Sequence, residues 1–126
     1  MELNHTIVCC RDKTRSSAFM TEILGLAPAV SVYNFMVVTL ENGVSLDFME
    51  QEDEIAEQHY AFLVSDKEFD SAFSIIQQQG VDHWADPART KPGKINTHDG
   101  GRGVYFADLD GHLLEIITQP YGSATE

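Results

Sequence analysis

Positive charge is scarce in this chain. Eight Lys and Arg stand against 20 Asp and Glu, a formal net charge of −12. Nucleic acids and anionic membrane surfaces recruit basic faces, so this balance argues against both as partners and leaves solubility as the ordinary meaning of the acid excess. Cysteine is scarce too. Cys9 and Cys10 are adjacent on a predicted strand and point to opposite faces, which predicts two reduced, mostly buried thiols and no disulfide framework. No apolar run approaches the roughly 18 residues that a membrane helix needs. The start, MELNHTIVCC, carries no basic n-region, so the expected location is cytoplasmic. What remains is 126 residues with 43% apolar content, which fits one domain with one core. The few cations are unevenly placed: four of the eight (Arg89, Lys91, Lys94 and Arg102) fall within residues 87–103.

Read in order, residues 3–10 are β-branched and apolar, a strand. Asp12 is the expected N-cap of a helix running to Leu24, with Ala18, Phe19, Ile23 and Leu24 as its buried stripe and Gly25 as its stop. Residues 28–33, 35–41 and 44–49 read as strands, the last two joined by a two-residue turn at Asn42-Gly43. An acidic linker fills residues 50–57. A strand at 58–64 then leads into a capping box, Ser65 with Glu68, and a helix to about Gln79 whose apolar face is Phe69, Ala72, Phe73 and Ile76. Residues 81–86 read as short and extended. The Pro/Gly-rich loop 87–103 carries one short strand at 94–97, and residues 104–107 and 112–118 close the chain as a hairpin turning at Asp110-Gly111. Order is expected to end at Pro120 and Gly122.

The two halves overlay. His5 is followed after seven residues by Asp12, after 14 by Phe19 and after 20 by Gly25; His59 is followed after seven by Asp66, after 14 by Phe73 and after 21 by Gly80. Asn42-Gly43 with Asp47 answers Asp110-Gly111 with Glu115. The fold class expected is therefore α+β, two βαβββ modules (residues 1–50 and 57–120) within a single domain, their sheets forming a concave surface around a cleft.

The repeat puts His5 and His59 on the first strand of each half, and Asp47 and Glu115 on the last. Glu115 stands alone among Leu113, Leu114, Ile116 and Ile117, and a carboxylate there is costly to bury without compensation. Two imidazoles and one or two carboxylates suit Zn, Mn, Fe or Ni better than Mg. The plainer alternatives remain open: Glu115 accepting hydrogen bonds from Tyr105 or the backbone, Asp47 facing solvent or orienting a histidine, and each histidine an ordinary strand residue.

The same residues carry a family resemblance. LNHTIVC (3–9), ILGL (23–26), QHYAFLV (58–64) and GVYFADLDGHLLEI (103–116) resemble the vicinal oxygen chelate superfamily of glyoxalases, extradiol dioxygenases, fosfomycin-resistance thiol transferases and bleomycin-resistance proteins. Its usual DPDGH turn has Leu109 here in place of proline, a change in turn rigidity rather than chemistry. The resemblance implies a divalent metal held by His5, His59 and Glu115, with Asp47 a short fourth acid, and a homodimer that can pair modules across subunits. It also implies a small-molecule substrate offering two neighbouring oxygens. Glu115, Tyr105 and His98 are the candidate catalytic residues; Tyr105, Arg102 and Asn96 are the candidate substrate contacts. Lyase, isomerase and ring-cleavage chemistry all stay open, and the alternative is a non-catalytic drug- or toxin-binding protein of the bleomycin-resistance type.

Overall fold

Alternation organises the first strand: Val8 and Cys10 are fully buried, while His5 and Ile7 on the opposite face are exposed. The computed structural model describes residues 1–124, and the chain divides after Ala56 into two compact units. The first unit contains β1 (His5–Cys10), α1 (Lys13–Leu24), β2 (Val30–Val32), β3 (Phe35–Thr39) and β4 (Ser45–Glu50). The second contains β5 (His59–Leu63), α2 (Asp66–Gln78), β6 (His83–Trp84), β7 (Gly103–Ala107) and β8 (Leu113–Ile117). Their sheets run β1-β4-β3-β2 and β5-β8-β7-β6. In each, the first and last strands are parallel and the other pairs antiparallel. The architecture is α+β, one βαβββ module repeated. No helix among the described residues is long and apolar enough to cross a membrane.

The repeat holds to the level of register. Asp47 lies opposite Ile7 on one side and Val37 on the other. Glu115 lies opposite Ala61 and Tyr105. The two acids thus occupy the same node of their sheets, and His5 and His59 each lie two residues before the node's partner on the first strand.

Both helices are capped as their sequences direct. The Asp12 carboxylate accepts from the Arg15 amide at 3.1 Å, and Gly25 leaves α1 in the left-handed region at φ 66°. Ser65 and Glu68 close a reciprocal capping box on α2. Asp66 is the first residue of α2, whereas Asp12 is the cap of α1, so the two helices start one residue out of step within the repeat. The buried face of α1 differs from the expected stripe. It consists of Ser16, Ser17, Met20, Thr21 and Ile23; Ala18, Phe19 and Leu24 are half-buried. Ser17 and Thr21 donate their hydroxyls to the Thr14 and Ala18 carbonyls one turn back, so they enter the interior already satisfied. In α2, Phe69, Ala72 and Ile76 are buried, and half-buried Phe73 meets His83 edge-on at 5.4 Å.

Both hairpin turns hold three residues, not two. Leu40 pairs with Val44 around 41–43, and Asp108 with His112 around 109–111, each loop ending on a left-handed glycine, Gly43 at φ 89° and Gly111 at φ 87°. The expected strands at 28–33 and 81–86 shorten to Val30–Val32 and His83–Trp84, and the one at 94–97 reduces to a single bridge between Asn96 and Gly103. Loop backbone there is satisfied locally instead: the Asp86 carboxylate takes the Thr90 and Lys91 amides, each at 2.9 Å.

Candidate metal centre

Glu115 is fully buried in the middle of β8. Burial raises its carboxyl pKa, while Tyr105 and the charges of His59 and His98 oppose the rise. Its two oxygens have different partners. Oε1 lies 3.1 Å from His59 Nε2, and Oε2 accepts from the Tyr121 hydroxyl. The Tyr121 and Tyr105 hydroxyls are 2.6 Å apart.

The tautomer of His59 follows from its other nitrogen. Nδ1 lies 2.9 Å from the Leu113 carbonyl oxygen. A carbonyl only accepts, so Nδ1 carries a hydrogen, and in the neutral ring Nε2 turns a lone pair towards Glu115. An imidazole lone pair and a carboxylate oxygen at this distance need a proton or a cation between them. A carbonyl holding Nδ1–H is a partner that metal-bound histidines commonly have on their non-ligating nitrogen. His59 and Glu115 are two donors of the kinds a divalent cation takes.

In the first unit, His5 Nδ1 lies 2.7 Å from Oδ1 of its neighbour Asn4. Asp47 is half-buried, and its Oδ1 accepts from the Ser45 hydroxyl at 2.9 Å. The second unit brings together His59 and Glu115, and the first holds His5 and Asp47. Among the described residues there is no group of three or more His, Cys, Asp or Glu able to hold a metal ion.

Tyr105 lies against the His59–Glu115 pair. It is 6% exposed, its ring stacks on His59 at 5.9 Å, and burial, then Glu115, push its phenol pKa upward. His98 lies in the 3-10 turn His98–Gly100, its ring 6.4 Å from that of Tyr121. Asn96 and Arg102 have structural partners. The Asn96 amide donates to the Ala85 carbonyl at 2.8 Å, and its backbone bridges Gly103. The Arg102 guanidinium donates to Asp70 at 2.7 Å and Asp66 at 3.0 Å and lies 4.5 Å over Phe69, tying α2 to the start of β7. Arg89 pairs with Glu57 and covers Trp84. His112 is structural: wholly buried, its Nδ1 accepts from the Gln58 amide at 3.0 Å.

Tyr121 lies where the sequence pattern predicted the end of order. The segment 120–124 is instead held by Asp99, whose carboxylate accepts from the amides of Gly122 at 3.1 Å and Ala124 at 3.3 Å. The only hint in the sequence is an aromatic residue with a polar tip, placed between Pro120 and Gly122. Thr125 and Glu126 lie outside the described residues.

The family model for the Glyoxalase/Bleomycin resistance protein/Dioxygenase superfamily matches residues 2–116. Among characterised relatives, the glutathione transferase FosA of Serratia marcescens is 30% identical, over 90% of this chain and 78% of its own. The fosfomycin resistance protein FosX of Listeria monocytogenes is 26% identical, over 90% and 86%. Among solved structures, the oxidase ChaP-H1 is 56% identical with a TM-score of 0.95, covering 98% of this chain and 99% of that one. The oxidase ChaP-H2 is 50% identical with a TM-score of 0.97, covering 99% and 98%.

Proposed function

The chain belongs to the Glyoxalase/Bleomycin resistance protein/Dioxygenase superfamily, and we propose that it is a divalent-metal-dependent enzyme that oxidises a small molecule, bound through two neighbouring oxygens, with dioxygen as the electron acceptor. The observation that carries the metal assignment is the pair His59 Nε2 and Glu115 Oε1, 3.1 Å apart, with Nδ1 of the same ring committed to a carbonyl. Imidazole and carboxylate donors favour Fe, Mn, Ni or Zn. His5 is the third donor, supplied by the first module of a second copy in a homodimer. Asp47, already accepting from Ser45, is a weaker fourth.

A cation held there supplies stabilisation of the negative charge that develops on the substrate's oxygens. Tyr105 keeps its phenol proton through the neutral range; that proton, held inside the protein by Tyr121 and Glu115, would turn to one of those oxygens when substrate binds. His98, on the turn beside Tyr121, is placed to exchange a proton with substrate. Trp84 lies opposite Tyr105 in the sheet and adds an aromatic wall.

Identity of 56% and 50% to two oxidases over nearly their whole length favours oxidation. Glutathione transfer is the second reading, favoured by the 30% identity to the Serratia enzyme. Such a reaction calls for a cation to hold an anionic co-substrate, and Arg89 and Arg102 are both engaged by carboxylates. The test strips the protein with chelator, restores Fe(II), Mn(II), Ni(II) or Zn(II) singly, and follows oxygen uptake with catechols and α-hydroxy ketones. Metal-dependent uptake supports oxidation. A thioether formed from glutathione and an epoxide, without oxygen uptake, moves the assignment to transfer. Tight binding of an intact ligand with no turnover identifies a sequestering protein instead.

A further inference from the structure

We infer that Tyr121 is a positioning residue for Glu115 and that Asp99 holds it in place; this deepens, and rests on, the metal assignment of His59 and Glu115. A carboxylate has two oxygens and can bind a cation through one or both. Here the two are separated by their partners: Oε1 faces His59, and Oε2 is taken by the Tyr121 hydroxyl. With Glu115 ionised the carboxylate only accepts, so Tyr121 must donate to it. The Tyr105 hydroxyl lies 2.6 Å from that of Tyr121 and is itself a hydrogen-bond partner of Glu115. Both phenols thus converge on Glu115. Oε1 remains the oxygen turned to His59.

Core packing does not explain the placement, because Tyr121 is 52% exposed. Asp99 does. Its backbone lies in the left-handed region at φ 56° and ψ 27°, a conformation that is costly outside glycine and often found where structure serves function. From there its carboxylate takes the Gly122 and Ala124 amides, just after Tyr121 in the chain. His98, next to Asp99, places its ring against Tyr121. The short turn that carries one candidate acid–base residue therefore also fastens the segment that orients Glu115.

Metal affinity by chelator competition and the Co(II) absorption spectrum, measured on whole-chain variants, test this. Loss of an outer hydrogen bond to a ligand costs about 10–100-fold in affinity, so Tyr121→Phe is expected to bind metal at least about 10-fold more weakly. Its Co(II) bands should also weaken as Oε2 joins the coordination sphere. Asp99→Ala is expected to shift both readouts in the same direction. Asp99→Asn, which keeps an acceptor and tolerates the left-handed backbone, should stay near wild type. Wild-type affinity and an unchanged spectrum in Tyr121→Phe overturn the inference alone. A wild-type protein that binds no metal overturns it together with the assignment it rests on.

Discussion

Arg102 offers a clean separation between a structural and a substrate-binding role. Replacing it with methionine keeps an apolar stem over Phe69 and removes the guanidinium. The lost contacts are two carboxylate pairs, to Asp70 at 2.7 Å and Asp66 at 3.0 Å, and the cation–π contact at 4.5 Å. Both pairs are open to solvent: the Arg102 side chain is 30% exposed, Asp66 80% and Asp70 67%. Each pair is therefore worth about 0.2–1 kcal/mol, and the ring contact about 0.5–1 kcal/mol. Together they predict a loss of about 1–3 kcal/mol, a fall in Tm of about 4 °C or more for a unit of this size. Part of the loss is electrostatic and should shrink at about 1 M salt, where the Debye length is about 3 Å. Thermal melts of Arg102→Met, Asp70→Asn and the double variant, at low and high salt, measure it. A shared, salt-sensitive destabilisation with KM unchanged is the expected result. An unchanged Tm with a raised KM for an anionic substrate would refute the structural role and return Arg102 to the substrate.

Glu115→Gln tests the buried acid. Burial lifts its folded-state pKa above the ordinary value of 4.5, so the folded protein holds that proton more tightly than the unfolded chain. The stabilisation is complete below the unfolded value and is lost as pH rises through the folded one. The metal-free Gln variant should therefore gain stability over wild type towards neutral pH and lose that advantage near pH 4.5; a constant difference in melts across this range contradicts it. Gly43→Ala and Gly111→Ala meet no neighbour within 4 Å, so both should lose only the cost of a left-handed non-glycine residue, about 1–2 kcal/mol each by denaturant melts. A much larger loss at either would mean that the two turns are not equivalent. Ile76→Ala, at a fully buried position of α2, should lose about 2–5 kcal/mol in the same melts, with no change in metal affinity.

The module was legible because its signals are local or repeated. Alternation, caps and Gly stops set the strands and helices. A lone acid in an apolar strand singled out Glu115, and its counterpart at the same register is Asp47. The α1 face was not legible, because the hydroxyls of Ser17 and Thr21 are satisfied within their own helix and no hydropathy pattern shows that. Three-residue turns were taken for two-residue ones because Asn-Gly and Asp-Gly suit both, and only the pairing of Leu40 with Val44 and Asp108 with His112 decides. Arg102 and Tyr121 depend on contacts that sequence spacing does not encode. The partners of Arg102 lie 32 and 36 residues upstream, and Tyr121 reaches Glu115 from beyond a proline, through a tether on Asp99.

The pairing of His59 with Glu115 as metal donors is tested most directly by elemental analysis of protein purified without added chelator, wild type against His59→Ala. Stoichiometric divalent transition metal in the wild type, lost in His59→Ala and retained in Arg102→Met, is the predicted result. A wild type that stays metal-free after incubation with Fe(II), Mn(II), Ni(II) and Zn(II), or a His59→Ala variant that keeps its metal, would contradict the assignment.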